Sequence, residues 1–164
     1  MASIKERIQN FYHRIVSEKA SPEYIARGWA IGMFWGCICP FGLQLAFSIP
    51  TSFILKGSKI GATVGTLITN HFTIFLVYPV QCYVGGKILG NSLSYAEIKA
   101  ALAGVIREES YEALLETGTD LIAAFVAGGA LFAILLTPLT YFAVKSMVLR
   151  YRRNRGPDGG GLKP

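Results

Sequence analysis

The chain has 164 residues, 52% of them hydrophobic and 16% charged, with a formal net charge of +6. Soluble domains carry about 25% charged residues, and here the charges are also segregated: no Asp, Glu, Lys or Arg occurs in 28–55, 60–86 or 121–144. Each run exceeds the roughly 20 residues that a helix needs to cross a bilayer, and none carries the polar stripe of a water-facing helix. A soluble globular domain is therefore disfavoured, and the positive charge points to an anionic membrane surface rather than to nucleic acid.

Residues 1–20 open the chain as an amphipathic interfacial helix. Ile4, Ile8, Phe11, Tyr12, Ile15 and Val16 share one helical face, with Lys5, Arg7 and Arg14 on the basic side. No short apolar core with a small-residue cleavage site precedes the first run, which is expected to act as an uncleaved insertion signal. Ser21-Pro22-Glu23 starts the next helix: serine caps free N–H groups, proline suits the first turn, and an acid favours the positive helix end.

The run from Gly28 to Leu55 would be about 42 Å of continuous helix, too long for one straight span. Pro40-Phe41-Gly42 lies near its middle, where proline removes a donor and glycine can reverse the chain. The expectation is two arms, 28–39 and 43–55, folded as a re-entrant helical hairpin; the alternative is a kinked, tilted span. The second run, 60–86, is interrupted by Thr69-Asn70-His71-Phe72-Thr73 and then Pro79, and its Gly61 and Gly65 give a small-xxx-small packing face. Between the runs and the third span, Ala96 to Leu115 has helical spacing in an acidic, surface-exposed loop. The third run, 121–144, carries Gly128-Gly129 and Pro138 but no strongly polar residue, and reads as a plain membrane span. The basic stretch 150–164 ends in a glycine- and proline-rich, disordered tail.

Charge sets the expected topology. Lys and Arg near spans mark the cytoplasmic side, and they gather at the N-terminal part, at Lys56 and Lys59, and from Lys145 onward. Three simple spans would separate the termini. One re-entrant segment at 28–55 keeps all three basic groups inside, with 91–120 outside.

Polar groups within the membrane are costly and are candidates for function. Gln44, Asn70, His71 and Thr73 qualify, with Pro40 and Gly42 forming the break beside them and Arg27 at the cytoplasmic edge. Broken helices expose backbone groups that bind ions and anionic ligands in transporters. The competing reading makes Gln44 and Asn70 interhelical hydrogen-bond glue and His71 a structural histidine. Cys37, Cys39 and Cys82 all lie inside apolar runs, which does not describe a disulfide framework. Cys37 and Cys39 are a weak alternative as soft-metal ligands. No nucleophile–base constellation, phosphate-cradling loop or cofactor motif is present, so an enzyme is not expected.

The stretch Ser21-Pro22, Ile25-Ala26, Gly28, Ala30, Gly32, Phe34, Gly36, Pro40, Gly42, Gln44 resembles the signature of the DUF2062 family of bacterial membrane proteins. Gly65, Asn70, Thr73, Tyr78 and Gly85 resemble its second signature, with His71 where the family usually has proline. Some relatives are fused to glycosyltransferase-like domains, which implies by association a link to lipid-linked sugars. The expected molecule is an all-α integral membrane protein of the bacterial inner membrane, with a membrane domain over 21–149 and both termini cytoplasmic. It would be a homo-oligomeric transporter or flippase-like protein for an anionic or lipid-linked substrate, contacting membrane lipid. The alternatives are a scaffold for an envelope-biosynthesis enzyme and a soft-metal transporter through Cys37 and Cys39.

Overall fold

The computed structural model describes residues 20–67, 73–90, 94–108 and 118–154. The amphipathic segment at the N-terminus and the pair Asn70–His71 fall outside the described residues. Every described element is helical: α1 (Pro22–Ile38), α2 (Leu43–Ile54), α3 (Lys59–Thr66), α4 (Ile74–Ile88), α5 (Tyr95–Glu108) and α6 (Thr119–Asn154).

The helix ends follow from local chemistry. Ser21 accepts a hydrogen bond from the Tyr24 N–H at 3.2 Å and caps α1. Pro40 forces the residue before it out of helical geometry, and Cys39 is extended at φ −95°, ψ 142°. Gly42, at φ 97°, starts α2 in a backbone region that side chains other than glycine rarely adopt. The break thus falls where the proline and glycine predict it. At the far end of α2, the Gly57 N–H donates to the Ser52 carbonyl (2.8 Å) and the Lys56 N–H to the Phe53 carbonyl (3.3 Å). This is a Schellman closure, with Lys56 rather than glycine at positive φ (51°).

α2 folds back along α1. Trp35 stacks on Phe47 with centroids 5.0 Å apart and donates from Nε1 to the Thr51 hydroxyl at 3.0 Å. α1 also packs against α3, through glycine. A Cβ at Gly28 would lie 2.2 Å from the Ser58 carbonyl oxygen, and one at Gly32 would lie 2.3 Å from that of Ala62. A Cβ at Gly65 would lie 2.6 Å from the Trp29 carbonyl oxygen. The small-residue face expected at Gly61 and Gly65 is therefore an interface with α1, built from small residues on both helices.

α6 is the axis. Its 36 residues extend about 54 Å, and α1 and α4 divide its length. Ile25 and Ala26 pack on Val144 and Val148, and Met33 and Cys37 on Ala133. Farther toward the start of α6, Gly128 meets Gln81 and Ala124 meets Gly85, where a Cβ would lie 1.8 Å from the Ala124 carbonyl oxygen. α3 flanks α1 on one half of the molecule and α4 covers the other, so the second apolar run changes from one half to the other between Thr66 and Ile74. The helix also runs past the expected start of the basic tail. Tyr151 packs beside Ile25 and Val148, and Arg152 donates to the Ala20 carbonyl, which holds the last turn in place.

α5 carries a capping box: the Ser94 N–H donates to Glu97 at 2.8 Å while the Glu97 N–H donates to the Ser94 hydroxyl at 3.3 Å. Its apolar edge is buried, with Ile98 and Leu102 packed against the Ile74, Tyr78, Cys82, Leu121 and Phe125 cluster. The expected surface helix is amphipathic rather than free-standing. One described helix, α6, is long and apolar enough to cross a membrane by itself, with mean hydropathy 2.2 over an 18-residue stretch. Large apolar side chains remain exposed on several helices, among them Phe53, Ile54, Leu76, Ile134, Leu139 and Phe142.

Candidate functional site

The Pro40–Gly42 break lies against helix ends from the second apolar run: the start of α2 reaches Thr66 of α3, and Phe41 reaches Tyr78 of α4. The end of α1 and the first turns of α4 meet on the Phe125–Ala133 stretch of α6. That stretch lies near the middle of the charge-free segment 121–144. A proline break leaves backbone groups without helical partners, and here side chains from other elements supply them. The Phe41 N–H donates to the Tyr78 hydroxyl at 2.7 Å. Gln81 donates from Nε2 to the carbonyls of Cys37 and Phe125, both at 2.9 Å, and so joins α4 to α1 and α6. Gln44 donates from Nε2 to the carbonyl of Thr66 at 3.1 Å, joining the start of α2 to the last residue of α3. Ser48 adds a bond to the Ala62 carbonyl one turn on, at 3.1 Å.

Gln44, Ser48 and Gln81 are all buried, at 2%, 0% and 0% exposure. Gln81 has spent both amide protons on carbonyls, and its Oε1 is buried with no partner among the described residues. Leaving such an acceptor unmet costs about 1–3 kcal/mol, so this oxygen is the least satisfied point of the junction. The start of α2 adds a positive partial charge, because Gly42 offers no side-chain cap. The junction therefore presents donor character from a helix end and one unmet acceptor, surrounded by apolar packing.

Pro40, Gly42 and Gln44 lie in this junction, and Thr73 precedes α4 at its edge. Arg27 does not. Roughly 16 Å of α1 separate it from Ile38, and its Nη1 donates to the carbonyls of Leu55 (2.8 Å) and Lys56 (3.4 Å) at the end of α2. A cation at a helix C-terminus is favourable there. Cys37, Cys39 and Cys82 are buried free thiols, and among the described residues no three His, Cys, Asp or Glu side chains gather as a metal site.

The family model described as "Uncharacterized protein conserved in bacteria (DUF2062)" matches residues 5–156. The chain belongs to this DUF2062 family. No curated protein and no solved structure matches it. In this DUF2062 member the signature-like residues fall on contacts rather than being scattered. Gly28, Gly32 and Gly65 bring α1 onto α3, and Gly85 brings α4 onto α6. Pro40, Gly42, Gln44 and Tyr78 build and satisfy the break. Gln81 was not anticipated from sequence. The signal was available, since it is an amide in a charge-free run like Gln44, but it stands beyond the Asn70–Thr73 interruption that drew attention.

At the other end of the bundle, Arg27, the Lys56–Lys59 link and the Lys145–Arg152 part of α6 come together. The Ser58 N–H donates to the Tyr24 carbonyl at 3.0 Å, which seats the Lys56–Lys59 link beside the start of α1. Lys145 pairs with Glu23 at 3.1 Å, and Arg152 reaches Ala20. Lys59 lies over the Phe53 ring, 3.9 Å from its centroid.

Proposed function

We propose that the chain is a multi-pass inner-membrane protein that moves an anionic or lipid-linked substrate past a broken-helix junction at mid-membrane. In this reading α1 and α2 form a re-entrant hairpin entering from the cytoplasmic side. α3 and α4 together make one interrupted crossing, and α6 makes the return. The observation that carries it is that the Pro40–Gly42 break is bonded by Tyr78 and Gln81 of α4 at the level of Phe125, within the charge-free stretch of α6. Irregular backbone at membrane depth is tolerated only where protein or a cavity surrounds it, and paired interrupted segments are the pattern of transporter sites. The clustering of Arg27, Lys56, Lys59, Lys145 and Arg152 at one end supports the orientation, because Lys and Arg accumulate on the cytoplasmic side. The exposed apolar side chains support a lipid-facing surface. Three membrane segments enclose little volume, so the working unit is a homo-oligomer. Its chemistry is translocation rather than bond making.

The test uses proteoliposomes holding a trace of fluorescent phosphatidylglycerol and an impermeant quencher added outside. Intact protein is expected to expose inner-leaflet label to the quencher. Gln44→Ala and Gln81→Leu are expected to abolish this while eluting as the same species in size-exclusion chromatography. Normal translocation in both variants would remove the junction as the site, and no translocation by intact protein would remove the anionic-lipid reading. Single cysteines in a cysteine-free background test the topology: the exposed position 59 should label from the cytoplasmic side and position 99 from outside.

A further inference from the structure

A second feature lies apart from the junction. α1, α2 and α6 enclose an open groove of about 330 Å³ on the basic half of the molecule. Along α1 it is lined by Arg27, Ile31, Phe34 and Trp35, and across from them by Thr51 and Leu55 of α2. The spacing along α1 is one helical face, so the groove runs parallel to the helix for about 12 Å. Its lining is apolar throughout, and the Arg27 guanidinium sits at its end beside Leu55. Arg27 stands at the end where the basic stretches gather, and Phe34 and Trp35 stand toward the hairpin tip. Phe34 and Leu55 are 37% and 50% exposed, so the walls open outward.

Charge and direction select the occupant. The Arg27 guanidinium uses Nη1 on the Leu55 and Lys56 carbonyls, and a planar five-donor fork keeps further donors for an oxyanion. Glu23, the acidic side chain that the structure describes at this end, is engaged by Lys145. A second copy of the chain in the same orientation would bring Glu97 of α5 and Asp120 of α6 to the opposite end of the bundle, away from Arg27. What fits is a molecule with an anion at the basic end and an apolar tail running toward the middle, which is the profile of one lipid in one leaflet.

We propose that this groove binds an anionic phospholipid, with the phosphate on Arg27 and an acyl chain along Ile31, Phe34 and Trp35. The site rests on the membrane placement proposed above but is distinct from the junction, and the lipid need not be the translocated species.

Trp35 reports on it directly. The Trp29→Phe protein, which keeps Trp35 as its single tryptophan, is reconstituted in phosphatidylcholine vesicles and titrated with phosphatidylglycerol brominated in the acyl chain. Quenching is expected at about fivefold lower mole fraction than with brominated phosphatidylcholine, the effect of one basic contact to an anionic lipid. Raising the salt should shrink that preference. Arg27→Gln should abolish it, and Arg27→Lys should retain it. Equal quenching by both lipids in the Arg27 protein would overturn the groove site while leaving the membrane placement standing. No quenching by either lipid would overturn the placement and the groove together. The intact-Arg27 titration and its salt dependence decide the matter even if Arg27→Gln fails to fold.

Discussion

The break junction and the basic end are held by opposite means. At the junction, Gln44, Gln81 and Tyr78 are buried and each donates to or accepts from backbone that the breaks released. At the basic end, exposed charges pair at the surface, as in Glu23–Lys145. Exposed ion pairs contribute little, whereas a buried backbone group left without its partner is costly. The junction should therefore dominate stability, and the basic end should set orientation and lipid contact.

That contrast can be broken most directly at Gln81. Gln81→Leu removes the donor to the Cys37 carbonyl at the break and the added bond to the Phe125 carbonyl, and should destabilise by about 2 kcal/mol, read as a lowered Tm in detergent. A Tm unchanged within error would show that the junction is not the stronger region. Tyr78→Phe keeps the ring on Phe125, 4.9 Å between centroids, but removes the acceptor for the Phe41 N–H. About 1 kcal/mol of loss is expected, and the same melting experiment measures it.

At the basic end the expected sign reverses. Lys56 holds φ 51°, a conformation costing roughly 1–2 kcal/mol for a residue with a Cβ. Lys56→Gly should raise the Tm modestly, because glycine's greater freedom in the unfolded chain offsets part of the relieved strain. A fall in Tm would mean that the lysine charge itself stabilises the end.

The smallest effect concerns pH. Glu23 is held below the ordinary carboxylate value of 4.5, first by the bond to its own backbone N–H and then by Lys145. Lys145 is raised above its ordinary 10.5, first by its hydrogen bond to Glu23. A lowered acid contributes stability above 4.5 that is lost as the pH falls through its folded value. A raised base contributes below 10.5 and is lost as the pH rises through its folded value. The tie is thus constant between those values and weakens at both extremes. Melting against pH should show a shallow acid-side loss that Glu23→Gln removes, smaller than either junction effect.

The amino-acid sequence by itself determined the helical character, the cap at Ser21, the break at Pro40–Gly42 and the small-residue face at Gly61 and Gly65. These are local properties: a missing N–H, a missing Cβ and an apolar run act within a few residues. The same local rules picked out Gln44 as a buried amide but could not say what it bonds, nor reveal that Gln81 bridges Cys37 to Phe125. They also counted Arg27, at the cytoplasmic edge, among the candidate site residues, and the structure engages it on the Leu55 and Lys56 carbonyls, away from the break. Which carbonyl is left unpaired is a matter of backbone geometry, but which side chain reaches it depends on how α1 and α4 divide the length of α6. Only the tertiary structure decided that, because the partners are separated by dozens of residues and brought together by glycine contacts between helices.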